Sequence, residues 1–183
     1  MHNRQVLELP PWAIVANICV ICDREFFSPF DQRVYKEVKT MVKMGHNVEI
    51  ITPHKSTKQK KIDNIIVHCI DKKAPFGFTG IKIIKKALRK KYDLFYCHEF
   101  DPLIYGWMLK KITKKPVVWY CHEYLIPMKI ELQGELSALL AKNIIKFAAP
   151  KIDHIITEDK NLGRQQQTIK SVNVIQNYPN YSD

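Results

Sequence analysis

The sequence predicts an α/β fold, a Rossmann-like doubly wound parallel sheet of about seven strands with helices on both faces. Three observations predict it. Short, continuous, β-branched apolar runs recur along the chain, which is how strands buried on both faces read. Segments with apolar residues at helical spacing lie between them. The connections are of ordinary length, so strand and helix alternate throughout, the order that builds crossovers within one parallel sheet.

The elements follow in order. Ala13 to Cys22 (AIVANICVIC) is the first strand. Asp31 is a natural N-cap for a helix whose face is Val34, Val38, Met41 and Val42, closed by Gly45. Asn47 to Thr52 is the second strand and Ile65 to Ile70 the third, with His54 to Lys61 between them as an exposed polar turn. Gly80 to Lys91 is a helix with Ile81, Ile84 and Leu88 packed on the sheet and Lys82, Lys85, Lys86 and Arg89 opposite. Asp93 to Cys97 is the fourth strand. Asp101-Pro102 opens the next helix as N-cap and N1, with an apolar stripe of Leu103, Ile104, Trp107, Met108 and Ile112. Pro116 to Cys121 is the fifth strand, and one long helix covers Lys129 to Ala149 with Leu132, Leu136, Leu139, Leu140, Ile144 and Phe147 inward. Ile152 to Thr157, a helix from Glu158 to Lys170, and Val172 to Ile175 complete the alternation.

A chain of 183 residues with 46% apolar and 26% charged residues can bury one substantial core. That balance excludes disorder, collagen and a disulfide-held mini-protein. The five cysteines are odd in number and four sit inside apolar runs, which points to reduced thiols in the cytoplasm. No apolar run reaches the about 18 residues of a membrane span, and the amino terminus lacks a signal pattern. Of the net charge of +11, residues 55–91 hold +10, from eleven Lys and Arg89 against Asp63 and Asp71. Such a segment fits an anionic surface or ligand, or a solvated face.

In a doubly wound sheet, ligands sit beyond the carboxyl ends of the strands where strand order reverses. Tyr96-Cys97-His98-Glu99 ends one strand and recurs as Tyr120-Cys121-His122-Glu123 at the end of the next, so both His-Glu pairs are expected to face one crevice. Such a pair acts as general base, orients a sugar hydroxyl or meets a phosphate, or it caps strands. Alternation along a strand puts Cys97 and Cys121 on the face away from that crevice, and it separates Cys19 from Cys22, so no metal site is expected. Asp23 ends the first strand, and Arg24 and Arg33 offer planar forks to a phosphate or carboxylate. The six glycines form neither G-x-G nor a P-loop. Phe76 and Phe78 precede the basic helix, an arrangement suited to anionic lipid; few aromatics interleave the basic residues, which weighs against nucleic acid.

Taken together, several segments resemble the amino-terminal domain of a GT-B glycosyltransferase of family 4. These are Asp31-x-Arg33 leading to a helix that ends Lys43-Met44-Gly45-His46-Asn47-Val48, then Tyr92 to His98, Pro116-Val117-Val118 through His122-Glu123, Ile152 to Thr157, and Val174 to Asn180. The resemblance spans about residues 13–180 and divides the chain into an extension (1–12), the domain (13–176) and the start of an interdomain linker (177–183), with the nucleotide-binding domain expected beyond. It implies transfer of a sugar from a nucleotide-sugar to a glycan or lipid-linked acceptor, with no cofactor. This half would bind the acceptor and be inactive alone, as a piece of a longer enzyme or a subunit of a split one.

On that resemblance His122 stands at the reaction centre with Glu123 orienting it. Asp23, His98, Glu99 and Asp101 line the acceptor cleft, and Asp31 and Arg33 order the loop above it. Phe76, Phe78, Lys82, Lys85, Lys86 and Arg89 hold the domain at the inner face of the cell membrane. Asp23 to Pro29 replaces the glycines that often follow the first strand in the family. The competing reading is a non-catalytic module that binds membrane or nucleic acid, or recruits a partner subunit.

Overall fold

A computed structural model of the chain describes residues 14–27, 29–72, 78–121, 125–158 and 172–175. In chain order these form β1 (Asn17–Ile21), α1 (Gln32–Lys43), β2 (Asn47–His54), β3 (Lys58–Ile62), β4 (Ile65–Asp71), α2 (Phe78–Ala87) and β5 (Leu94–His98). Then come α3 (Phe100–Thr113), β6 (Val117–Tyr120), α4 (Leu125–Gln133), α5 (Glu135–Ala148), β7 (His154–Thr157) and β8 (Val172–Val174). The strands make one eight-stranded sheet in the order β3-β4-β2-β1-β5-β6-β7-β8. Every pairing is parallel except the antiparallel β3–β4 edge. The α/β doubly wound class is therefore as expected, and strand order reverses between β1 and β5.

Two apolar layers sandwich the sheet. On one face Ile21, Ile51, Phe95, Leu103, Leu109, Trp119 and Ile145 pack beneath α2, α3 and α5. On the other, Val20, Ile50, Tyr96 and Tyr120 pack with Val34 and Val38 of α1. Cys19 lies in the first layer and Cys22 in the second, so the pair is split across the sheet as strand alternation requires.

Six local expectations are corrected. The polar turn at 54–61 is largely strand: β2 runs on through His54, and β3 begins at Lys58, with β4 returning along it after a turn at Asp63 (φ 50°). Its KQKKI sequence has little apolar signal because it is an edge, and lysines on an edge discourage pairing with another chain. The single helix at 129–149 is two helices, broken at Gly134 (φ 82°). The inward face of α5 is Ala138, Ala141, Ile145 and Ala148, whereas Leu132, Leu136, Leu139, Leu140 and Phe147 are exposed; small residues let the helix approach closely, and size alone misled the reading. In α2 the buried positions are Gly80, Ile83, Ile84 and Ala87, with Ile81 and Leu88 exposed. In α3 they are Pro102, Leu103, Gly106 and Leu109, with Met108 and Ile112 exposed. Glu99, not Asp101, occupies the α3 N-cap, at φ 68° and without a side-chain capping bond; Asp101 lies in the first turn. The helix expected over 158–170 falls largely outside the described residues.

Gly106 sets the distance between α3 and the sheet. A Cβ there would meet Cys97 Sγ at 2.7 Å and Val117 Cγ1 at 2.8 Å. Gly106→Ala is expected to destabilise the fold by about 1–3 kcal/mol through overpacking, measured by urea unfolding.

Candidate functional site

The loop after β1 is held from below. The Thr52 hydroxyl accepts from the Phe26 N–H at 3.1 Å and donates to the Arg24 carbonyl at 2.7 Å. Phe26 is buried, with the Phe27 and Phe30 rings edge-on to it at 5.0 and 5.3 Å. Side-chain anchors thus shape a loop that carries no glycine, and its polar residues are left to line the surface. Asp31 Oδ1 accepts from the Val34 N–H at 3.1 Å and caps α1 as predicted. Asp31→Ala is expected to cost about 1 kcal/mol, read as a lower Tm.

Beyond the carboxyl ends of β1, β5 and β6 lies a groove of about 630 Å³ whose lining includes Asp23, Asp31, Arg33, Glu37, His98 and Glu99. His98 is 2% exposed. Its ring meets the edges of Tyr96 at 4.8 Å and Tyr120 at 5.3 Å, and those two rings stack at 6.1 Å. His98 Nε2 lies 3.6 Å from Glu37 Oε2 of α1. The Tyr120 hydroxyl donates to Glu158 Oε1 at 2.5 Å, and Arg33 Nε faces the same oxygen at 3.4 Å. Burial, then the Glu37 carboxylate that Tyr96 hydrogen-bonds, push the Tyr96 hydroxyl far above its ordinary range. Burial and the bond to Glu158 do the same for Tyr120. Both phenols therefore stay protonated as donors at neutral pH. Glu99 is buried; its carbonyl accepts from Trp119 Nε1 at 2.7 Å. A non-glycine residue held at positive φ at such a rim is a local strain.

The same first loop forms one wall of a second groove, about 750 Å³, lined by Asp23, Glu25, Lys72, Asp101 and Tyr105 among others. Glu25 pairs with Lys72 at 2.7 Å, and the Lys72 hydrogen bond first of all lowers the Glu25 carboxyl below its usual range. Burial, with Asp101 and Asp23 nearby, raises the Tyr105 hydroxyl to about 12.

Asp23, Asp31, Arg33, His98 and Glu99 are therefore brought together on one groove, while Asp101 lies on the adjoining one and shares it with Asp23. His122 and Glu123, at the centre of the expected chemistry, lie outside the described residues, as does Phe76. The register pairs His98 with Tyr120 and Tyr96 with Val118, so the two Tyr-Cys-His-Glu copies are staggered by two residues, not level. Phe78, Lys82 and Lys85 on α2 and Arg89 just beyond it are exposed and Lys86 is half-buried, and none of them is among the lining of either groove. The sequence reading missed Glu37, Tyr96, Tyr120, Glu158, Glu25 and Lys72. Glu37 was findable as the residue one helical turn after Arg33, and the tyrosines as the positions two before each His, on the same strand face.

The groove residues suit polyhydroxylated ligands, with carboxylates as acceptors and Arg33 as a donor for hydroxyls. The family model for glycosyltransferase family 4 matches residues 32–177. None of the curated proteins matches the chain. Among solved structures, sucrose-phosphate synthase from Thermosynechococcus elongatus is similar at TM-score 0.69 and 14% identity, over 90% of this chain and 49% of that one. The catalytic domain of starch synthase IV from Arabidopsis thaliana, bound to ADP and acarbose, is similar at TM-score 0.62 and 14% identity, over 90% and 52%. HepE from Anabaena, in complex with UDP and glucose, is similar at TM-score 0.56 and 15% identity, over 88% and 44%. The chain spans about half the length of each of these. Their fold is the GT-B glycosyltransferase fold, and with the family match over most of its length the chain belongs to glycosyltransferase family 4.

Proposed function

We propose that this chain is the acceptor-side lobe of a transferase that moves a sugar from a nucleotide-sugar to a glycan or lipid-linked acceptor. The observation that carries the reading is the groove at the β1–β5 reversal, where buried His98, Tyr96 and Tyr120 converge with Glu37 of α1. Sugar hydroxyls are met there by carboxylates and Arg33, and the apolar faces of sugar rings by tyrosine edges. Asp23 continues that surface into the second groove towards Asp101, giving an extended acceptor room for more than one residue.

The nucleotide belongs to a second lobe. Sugar transfer leaves a nucleoside diphosphate whose charge must be stabilised in a site closed to water, and one open groove does not supply that. The lone chain is therefore catalytically silent. The UDP and ADP held by HepE and the starch synthase make uridine and adenosine diphosphate sugars the donors to try first. His122 stands at the reaction centre with Glu123 orienting it, Asp31 and Arg33 fix the loop above the acceptor, and no cofactor takes part.

The outer face of α2 supports work at a membrane surface on the cytoplasmic side. Phe78, Ile81 and Leu88 are exposed beside Lys82, Lys85 and Arg89, and each basic residue near anionic lipid contributes about 1 kcal/mol. With Lys86 and the Phe76 segment added, the domain would lie on the surface. Among the described residues no helix is long and apolar enough to cross a membrane.

The test is transfer by the chain together with its nucleotide-binding lobe. His122→Ala is expected to lower the rate about 10²–10⁴-fold, the size of a lost acid–base contribution, with acceptor binding retained. An unchanged rate removes His122 from the mechanism, and transfer by the lone chain refutes the half-enzyme assignment.

A further inference from the structure

A separate groove of about 380 Å³ lies between β3, β4, α2 and the turn after α2, and five cations line it: Lys58 from β3, Lys82, Lys85 and Lys86 from α2, and Arg89 from the turn that follows it. No carboxylate is among its lining residues. We propose that this groove is a discrete binding site for a ligand carrying clustered phosphates, separate from the saccharide groove. The inference extends the membrane reading of α2, and it rests on that reading only for a lipid source of the phosphates.

Three features support a built site over a merely basic surface. Cations brought from two elements onto one concave volume repel each other, and the low-dielectric walls of a groove strengthen their pull on an anion. Edge protection explains lysines on β3, but it does not explain three cations on α2 and a fourth just past its end facing the same groove. Lys60 of the same strand turns instead to the Phe27 ring at 4.2 Å, so the strand's lysines do not share one role. The walls also carry neutral hydrogen-bonding groups, Thr57 and Gln59, and the Thr57 hydroxyl is fixed by accepting from the Asp71 N–H at 3.1 Å. Arg89 contributes the planar fork that meets two phosphate oxygens at once, and the lysines act as point charges around it. Among the described residues no Phe, Tyr or Trp lines the groove, and its one imidazole, His68, is tied to Glu49 at 2.8 Å, which favours a compact phosphate cluster over stacked nucleotides.

The phosphates could be those of a lipid headgroup or of a free phosphorylated molecule, and two arms separate these sources. In the first arm the full chain is titrated with inorganic pyrophosphate by calorimetry at low salt, as wild type, as Lys85→Gln/Arg89→Gln, and as Lys142→Gln/Lys146→Gln. The last pair removes the same charge from the exposed side of α5. The wild type is expected to saturate at one site, the groove variant to bind about tenfold or more weakly, and the α5 variant to match wild type. In the second arm the same proteins are sedimented with vesicles containing phosphatidic acid. Retention that pyrophosphate releases assigns the lipid headgroup; pyrophosphate binding without retention assigns the free ligand and ends the membrane reading instead. Circular dichroism and Tm exclude unfolding, and Lys85→Arg/Arg89→Lys, which keeps both charges, should retain most of the wild-type binding. Absence of saturable pyrophosphate binding, equal weakening in the α5 variant, or oligonucleotide affinity that rises with length and exceeds that for pyrophosphate overturns the proposal.

Discussion

Glu49→Ala is expected to destabilise the domain by about 2–4 kcal/mol, the cost of leaving a buried hydroxyl and a buried imidazole without their acceptor, and to lower Tm by about 5 °C or more for a chain of this size. Glu49 sits in the first half of β2 and accepts from Lys90 Nζ at 2.6 Å, the Tyr92 hydroxyl at 2.7 Å and His68 Nε2 at 2.8 Å. One carboxylate thus ties β2, β4 and the segment leading into β5 together. Truncating it leaves the buried Tyr92 hydroxyl and His68 ring without their acceptor. Burial on its own would raise the Glu49 carboxyl, but the hydrogen bonds from Lys90, Tyr92 and His68 outweigh it and hold the group at about 2, against 4.5 when unperturbed. Because the folded value is the lower one, the contribution is complete above about pH 4.5 and is lost as pH falls towards 2. Urea unfolding of wild type and Glu49→Ala from pH 7 to pH 2.5 checks both parts. The gap between them should be widest at neutral pH and narrow on acidification, and equal stability at pH 7 would refute the network's role.

Glu37→Ala is expected to weaken saccharide binding about 10–100-fold, the worth of one charge-assisted hydrogen-bond set of about 1.5–3 kcal/mol. Glu37 reaches from α1 to both Tyr96 and His98, so it fixes two groups of the proposed acceptor groove. Glu37→Gln keeps an acceptor for the Tyr96 hydroxyl and should retain part of the affinity. Calorimetric titration with neutral oligosaccharides separates the two variants. Equal affinity in wild type and Glu37→Ala would place the acceptor elsewhere.

Strand positions were legible because buried parallel strands leave unbroken apolar runs, as in Asn17–Ile21 and Val117–Tyr120. Two features were hidden for the opposite reason. β3 pairs through its backbone while its side chains are mostly polar, so periodicity has nothing to report. The break at Gly134 depends on one positive φ, and the neighbouring leucines outweighed it although alanines form the contact. In the groove, His98 and Glu99 stood out because a dipeptide recurs. Glu37 and Glu158 did not, since their meaning comes from α1 and the end of β7 meeting across the rim, a juxtaposition of residues far apart in sequence.

Saccharide binding in the groove at the β1–β5 reversal underlies the proposed acceptor role. Its most direct measurement is a nuclear magnetic resonance titration of the chain with a panel of neutral oligosaccharides. Saturable shifts are expected, confined to the rim around Tyr96, His98, Tyr120 and the first turns of α1, and lost in Glu37→Ala. Shifts confined to the basic groove between β3 and α2, or no saturable shift with any saccharide, would contradict it.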